Sequence, residues 1–355
     1  MTARDDAGGM HELRSLDRPC LSPTGAIVTA IVIDYHAAPA TRAAVASLRT
    51  FLRDLGDRAE IVVVDNGAAE GALPAVDTDL RAAPAVRWLP QDRNRGFAGG
   101  AAAGIDASSS EWILLLNNDA EFSQGSITDL LDAARGERIG AVCPVMVFKA
   151  DPERINSAGI VVDENGVARD ALLGQPVADL PRTPFGVWGC SGGAAMYSRA
   201  MLDAIGGFDR EYFMYYEDVD VAWRAQVRGW KSLCCPSVRV LHEHSATSRH
   251  ASAFKLYWSG RNRVRLLAQN LPAAQLRRRF ASIVGYELLY VAYYGARYRT
   301  AAPLRGRIAG LRAWRAVRVD RPPAISLPPA AGIRAALRRN RAVRALGSSG
   351  DQRTG

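Results

Sequence analysis

The chain has little that would staple or anchor it. Five cysteines in 355 residues are too sparse for a disulfide scaffold, and Cys20, Cys143, Cys190, Cys234 and Cys235 form no C-x-x-C pair. That removes zinc-ribbon and thioredoxin-type readings; the thiols read as small buried hydrophobes in a reducing compartment. No apolar stretch follows a basic start in residues 1–24, so no secretory signal is read. No apolar run reaches the ~20 residues that span a bilayer; the most apolar window, Ala281–Ala296, is interrupted by Glu287. Neither a Gly-x-Gly-x-x-Gly fingerprint nor a Walker loop occurs, and no internal repeat is visible. The composition that is left, 48% hydrophobic and 23% charged, is globular. At ~150 residues per domain it makes two domains, or one domain with an extension.

Charge is divided unevenly along the chain. The net charge is +9, but up to Phe254 there are 24 Lys and Arg against 33 Asp and Glu, and from Lys255 onward 21 against 3. An acidic part and a basic part therefore do different work. The basic part reads as Arg-rich helices with clustered tyrosines and aliphatics, Tyr286 to Tyr294 among them. That mixture suits an anionic membrane interface better than nucleic acid, so no nucleic-acid partner is expected. The organisation read from these shifts is a flexible leader over 1–23, an α/β domain over 24–250, a basic helical extension over 251–346 and a disordered tail over 347–355.

Within the α/β domain, a continuous β-branched run at Ile27–Ile33 predicts a strand covered on both faces and Glu60–Asp65 a second buried strand, with further strands at Val86–Leu89, Trp112–Leu116 and Ala141–Phe148. Helical patterns at Thr41–Leu55, Phe97–Ala107 and Ser126–Ala134 alternate with them, which predicts a mostly parallel sheet. Asp163–Arg182 reads as a loop or extended hairpin. Short helices at Arg199–Ile205 and Glu217–Val227 and a strand at Ser232–Leu241, broken by Pro236, complete the domain.

In such sheets ligands bind beyond the carboxyl ends of the strands, and polar clusters stand there. Asn117-Asn118-Asp119 follows an apolar strand and suits either a hard divalent cation or a plain turn. Glu217-Asp218-Val219-Asp220 opens a helix after Tyr212-Phe213-Met214-Tyr215-Tyr216. Those carboxylates either cap the helix or, against an apolar wall, include one of raised pKa acting as a base. His242-x-His244 beyond a strand can complete a metal shell or contact phosphate. Asn94-Arg95-Gly96-Phe97-Ala98-Gly99-Gly100 allows close backbone approach to an anion.

Taken together these segments resemble the family 2 inverting glycosyltransferases, especially the bacterial rhamnosyltransferase-like branch. The resemblance runs from about Ile27 to Ser248, with an echo at Tyr257–Arg265. It rests on Val62-Val63-Val64-Asp65-Asn66, on Asn94–Gly100, on Leu114–Asp119, and on Gly207-Phe208-Asp209 leading to Phe213–Asp220 and Arg224. It implies a GT-A nucleotide-sugar fold with a mostly parallel central sheet plus the C-terminal basic helical extension. It also implies donor binding by Asp65, Asn66, Arg95, Gly96, Asn117 and Asn118, with Asp65 on a pyrimidine base. Asp119 and His242 would hold Mg2+ or Mn2+. Asp218 would be the general base with Glu217 beside it, and Gly192, Gly193 and Tyr216 would meet the acceptor. Asn117 stands where the family carries an acid, and Ala101-Ala102-Ala103 where relatives often carry an Asn.

The expected function is therefore transfer of a sugar from a nucleotide diphosphate donor, dTDP-L-rhamnose first, with UDP-galactofuranose or UDP-GlcNAc as alternatives. The acceptor is expected to be a glycan or a polyprenyl-diphosphate-linked sugar, met at the cytoplasmic face of the plasma membrane. A non-catalytic sugar-nucleotide binder is the alternative from another class, and the joint presence of Asp119 and Asp218 argues against it.

Overall fold

The computed structural model describes residues 25–68, 86–243, 252–318 and 324–330. The leader at 1–23, His244 and the tail at 347–355 lie outside them.

Four strands, β1 (Val28–Asp34), β2 (Ala59–Asp65), β3 (Val86–Pro90) and β4 (Trp112–Asn117), pair in parallel in the order β3-β2-β1-β4. The apolar runs of β1, β2 and β4 are buried from both sides, by α1 (Ala38–Phe51) on one face and α2 (Gly96–Asp106) on the other, while β3 at the edge is only half-buried. The register aligns Asp34 with Asp65 and Ile33 with Asn117, so the polar strand ends share one edge. Helix α1 starts three residues before the predicted Thr41, with Pro39 in its first turn where a missing N–H costs nothing, and gives way to a 3-10 turn at Arg53–Arg58.

The second half adds strands that the sequence does not announce. After β5 (Ala120–Gln124), α3 (Ile127–Ala133) and β6 (Ile139–Phe148) come β7 (Asp151–Ser157), the β8–β9 hairpin (Ile160–Val162, Ala168–Asp170), β10 (Phe185–Val187) and β11 (Ala194–Ser198). Helices α4 (Arg199–Ile205) and α5 (Glu217–Val227) precede β12 (Lys231–His242). The large sheet runs β10-β12-β6-β11-β4-β1-β2-β3. β11 is inserted antiparallel between β4 and β6, while β6 and β12 return to parallel pairing. The β12 register shifts between Cys235 and Arg239, around Pro236, which has no N–H to give the ladder.

The basic segment folds into α6 (Ala253–Asn270), α7 (Ala273–Tyr298) and α8 (Ala302–Val317). Part of it is core: Leu266, Leu267, Leu271 and Ile283 pack with Trp223 of α5 and with Ile160 and Val162 of β8. Several of its arginines are consumed inside the protein. Arg263 donates to the carbonyls of Asn165 and Gly166 and pairs with Glu287, which also pairs with Arg307. Burial raises the Glu287 carboxyl, but the two guanidiniums hold it below its ordinary value. The charge that interrupts the most apolar window is thus the shared counterion of two buried arginines.

Removing that counterion leaves two buried cations uncompensated. Glu287→Gln should lower unfolding stability by about 3 kcal/mol, measured by urea denaturation at neutral pH.

Candidate active site

A cleft opens at the carboxyl edge of the parallel strands. It is lined by Asn66 after β2, Asn94, Gly96 and Phe97 at the start of α2, and Asn117, Asn118 and Asp119 after β4. Gly192 and Gly193 before β11, Glu217 and Asp218 on α5, and His242 at the end of β12 complete most of the wall. Antiparallel pairing of β5 with β12 sets His242 opposite Ala120, and Glu243 N donates to Asp119 O. Backbone pairing therefore brings Asp119 and His242 together across more than a hundred residues of chain.

His242 Nε2 lies 3.5 Å from Asp119 Oδ1, and Nδ1 lies 2.9 Å from Asn156 Oδ1. The amide oxygen of Asn156 favours the proton on Nδ1 and turns Nε2 toward the carboxylate. Asp119 Oδ1 is buried yet accepts no hydrogen bond. A buried carboxylate oxygen and an imidazole nitrogen converging on one point fit a hard divalent cation between them. Among the described residues no group of three or more His, Cys, Asp or Glu side chains forms a closed metal cage. Asp119 and His242 are a two-residue pair facing the cleft, where further coordination would come from a ligand.

The carboxylate side of the cleft is held under backbone strain. Phe213, Tyr215 and Tyr216, all bulky, take φ of 60°, 72° and 71°, each costing on the order of 1–3 kcal/mol. Two contacts stabilise this turn. Gly96 sits at φ 65° so close that a Cβ on it would fall 2.2 Å from Phe213 O; in the same first turn of α2, Ala98 N donates to that carbonyl at 3.0 Å. From the other side Asn262, fully buried on α6, presents Nδ2 to the carbonyls of Tyr212, Met214 and Tyr215 at 2.7, 2.8 and 2.8 Å. Arg265 and Gln269, one and two turns along, grip Asp209 at 2.8 and 3.1 Å, and Asn270 holds Asp220 at 2.9 Å. Helix α6 is thus the splint of the turn that leads into α5.

At the end of that turn Asp218 accepts from Gly192 N at 2.9 Å and Val219 N at 2.8 Å. Burial pushes its carboxyl up to about 6, against those two amides, with the Asp170 carboxylate adding to the rise. Glu217 is pushed further up, by burial first and by Asp218 second, and its buried Oε2 has no hydrogen-bond partner. The two carboxyls therefore titrate as one coupled pair, in which burial and the neighbouring Asp218 charge favour the proton on Glu217.

Asp65, Arg95 and Tyr216 are not brought to the cleft wall. Asp65 is buried behind it, accepting from Gly67 N at 3.0 Å and Trp88 Nε1 at 3.2 Å. Arg95 turns back along its own turn to pair with Asp92 at 2.7 Å. Tyr216 packs with Trp188, Leu266 and their neighbours under the C-terminal helices. Asn66 takes the nearer place and lines the cleft: its Nδ2 donates to Gly96 O at 2.9 Å, while its buried Oδ1 has no hydrogen-bond partner.

The structure adds residues that sequence reading missed. Asp170, at the end of β9, acts electrostatically on His242, Lys255 and Asp218. Lys255 and Tyr35 line the cleft. Asn262 and Asn156 act from behind it. Only Asn262 carried a signal, because it lies inside the Tyr257–Arg265 echo.

Residues 29–206 match the family described as glycosyl transferase family 2. The chain belongs to that family. Among its relatives is the N-acetylglucosaminyl-diphospho-decaprenol L-rhamnosyltransferase of Mycobacterium tuberculosis, 33% identical over 214 residues, which are 53% of this chain and 67% of the relative. Another is the low-salt glycan biosynthesis hexosyltransferase Agl10 of Haloferax volcanii, 26% identical over 60% of this chain and 67% of the relative. The crystal structure of GalNAc-T7 with UDP, GalNAc and Mn2+ matches with a TM-score of 0.56 and 17% identity, over 70% of this chain and about half, 48%, of the longer one. That likeness establishes the GT-A fold. This family 2 chain is accordingly a glycosyltransferase, with the mostly parallel sheet and the C-terminal helices that its sequence implies.

Proposed function

We propose that the protein is an inverting glycosyltransferase that moves one sugar from a nucleotide diphosphate donor to a hydroxyl of a glycan or polyprenyl-diphosphate-linked acceptor in cell-envelope polysaccharide synthesis. The observation that carries this reading is the cleft shared by Asp218, a buried carboxylate held by two backbone amides, and the Asp119–His242 pair. Asp218 takes the proton of the acceptor hydroxyl as its oxygen bonds to the anomeric carbon. The bond from that carbon to the β-phosphate oxygen breaks, and the nucleoside diphosphate leaves. One base suffices for this single displacement, and the configuration inverts. Asp119 and His242 would hold Mg2+ or Mn2+, which when bound neutralises charge on the leaving diphosphate. Burial favours the protonated form of Glu217, which limits negative charge beside the base. Asn66 Oδ1 suits an N–H of a pyrimidine ring, with Gly96 and the Asn117-Asn118 turn beside it, and Gly192 and Gly193 leave room for the acceptor next to Asp218. L-Rhamnose from a dTDP donor is the first candidate, supported by the name of the mycobacterial relative. Another hexose donor is the second, supported by the haloarchaeal one.

The same reading extends to the membrane. No helix among the described residues is long and apolar enough to cross one. Yet the large exposed apolar side chains concentrate on α7 and α8: Phe280, Leu288, Leu289, Leu304, Ile308 and Leu311. They stand among exposed arginines, the pairing that suits an anionic interface. The extension over 251–346 would thus hold the catalytic domain over 24–250 at the cytoplasmic leaflet, where a lipid-linked acceptor presents its sugar.

Two measurements test this reading. In a screen of nucleotide sugars with a lipid-linked acceptor, Asp218→Asn should lower turnover by ~10²-fold or more. Wild-type kcat/KM should climb with pH through about 6 as Asp218 loses its proton, and turnover should stop in EDTA. Near wild-type turnover of that variant removes Asp218 from the role. In sedimentation with anionic vesicles, the full chain should bind at low salt and release at high salt. The full chain carrying Leu288→Ser, Leu289→Ser, Leu304→Ser and Ile308→Ser should bind far less, and equal binding overturns the membrane role.

A further inference from the structure

A diphosphate ligand brings at least two negative charges into a cleft that already holds Asp119, Glu217 and Asp218. Among the described residues that line it, Lys255 is the one lysine or arginine. It stands in the first turn of α6, where its backbone N–H donates to the capping Ser252 Oγ at 3.2 Å. Its ammonium lies 5.5 Å from the centre of the Tyr215 ring, on the strained turn that leads to Asp218. Among the described residues no carboxylate comes within 4.0 Å of it; Asp170 acts on it only at longer range, and Asp170 is itself engaged by Ser157. Burial pushes the ammonium down from its ordinary value, opposed by Asp170. A half-buried lysine that faces a cleft without a close carboxylate is costly. An anion entering the cleft removes that cost.

Resting on the glycosyltransferase reading, we infer that Lys255 is a phosphate-binding residue of the cleft, contacting a phosphate oxygen of the bound substrate. Two sources share this chemistry: the diphosphate of the sugar nucleotide and the diphosphate of a lipid-linked acceptor. A lysine suits either, because a compact ammonium on a flexible stem meets one oxygen as a point charge. Its position on α6 also links occupancy of the cleft to the helix whose Asn262 holds the turn before Asp218.

The test uses the full chain with Lys255→Met, which keeps the stem and removes the charge, and Lys255→Gln and Lys255→Arg beside it. Thermal melts verify that each folds. Calorimetry with Mg2+ measures dTDP and UDP against thymidine and uridine. For a donor phosphate, Lys255→Met and Lys255→Gln weaken the diphosphates about tenfold or more, leave the nucleosides unchanged, and Lys255→Arg retains most of the affinity. For an acceptor phosphate, diphosphate affinity is unchanged. KM then rises about tenfold for a polyprenyl-diphosphate-linked acceptor but not for the same glycan without phosphate. Unchanged values in both arms overturn the assignment while leaving the glycosyltransferase reading intact. Failure of the wild-type protein to bind either nucleoside diphosphate overturns both.

Discussion

One amide governs the catalytic side of this molecule. The Nδ2 of Asn262 meets three carbonyls of the turn that carries Phe213, Tyr215 and Tyr216 at positive φ. Carbonyls forced to converge in a buried turn repel one another and are costly without a donor. A single donor group inserted from α6 supplies the carbonyls of Met214 and Tyr215 and adds to the Met214 N–H that already meets Tyr212 O. The strain is useful because it aims Glu217 and Asp218 into the cleft rather than along a helix surface, and lets Gly192 N and Val219 N hold the Asp218 carboxylate in place. The glycosyltransferase site therefore depends on a helix from the basic segment as much as on the sheet edge.

That dependence changes how the positive charge of the second part is understood. Arginine on a helix is usually solvated, but here Arg263 and Arg307 converge on Glu287, Arg265 holds Asp209, and Arg318 donates to the carbonyls of Ala268 and Leu271. These contacts weld α6, α7 and α8 to each other and to the catalytic domain. Most of the large apolar side chains left exposed are on α7 and α8, the face that the proposed membrane contact would use. One stretch of sequence thus divides its arginines between internal bonding and the surface.

Much of this was legible in the sequence. The parallel strands β1 to β4 and the helices between them are written in local apolar periodicity, and the polar turns after β2, β4 and before α5 mark the site. What escaped depends on pairing across distance. β11 is a five-residue Ala-Ala-Met-Tyr-Ser stretch whose strand character comes from β4 and β6 on either side, and β5 begins one residue after a turn signal. Asp65 reads as a ligand contact by motif, yet Gly67 N and Trp88 Nε1 occupy it and leave Asn66 at the cleft. Arg95 is drawn off by Asp92, three residues back, an ion pair whose geometry the motif does not reveal. Asp170 and Lys255 come from a loosely patterned hairpin and from a segment characterised by its charge, and nothing local pointed either toward the site.

On the proposed mechanism Asn262 positions Asp218 for proton removal, and a double-mutant cycle on turnover tests this most directly. Asn262→Ala would be measured in the wild-type and in the Asp218→Asn background, with donor affinity and melting temperature followed in both. The account predicts a large loss of kcat in the wild-type background, little further loss once Asp218 is Asn, and unchanged donor affinity, as expected of residues that act as a unit. An equal fractional loss of kcat in both backgrounds would contradict it, because Asn262 would then support the fold without acting through the base.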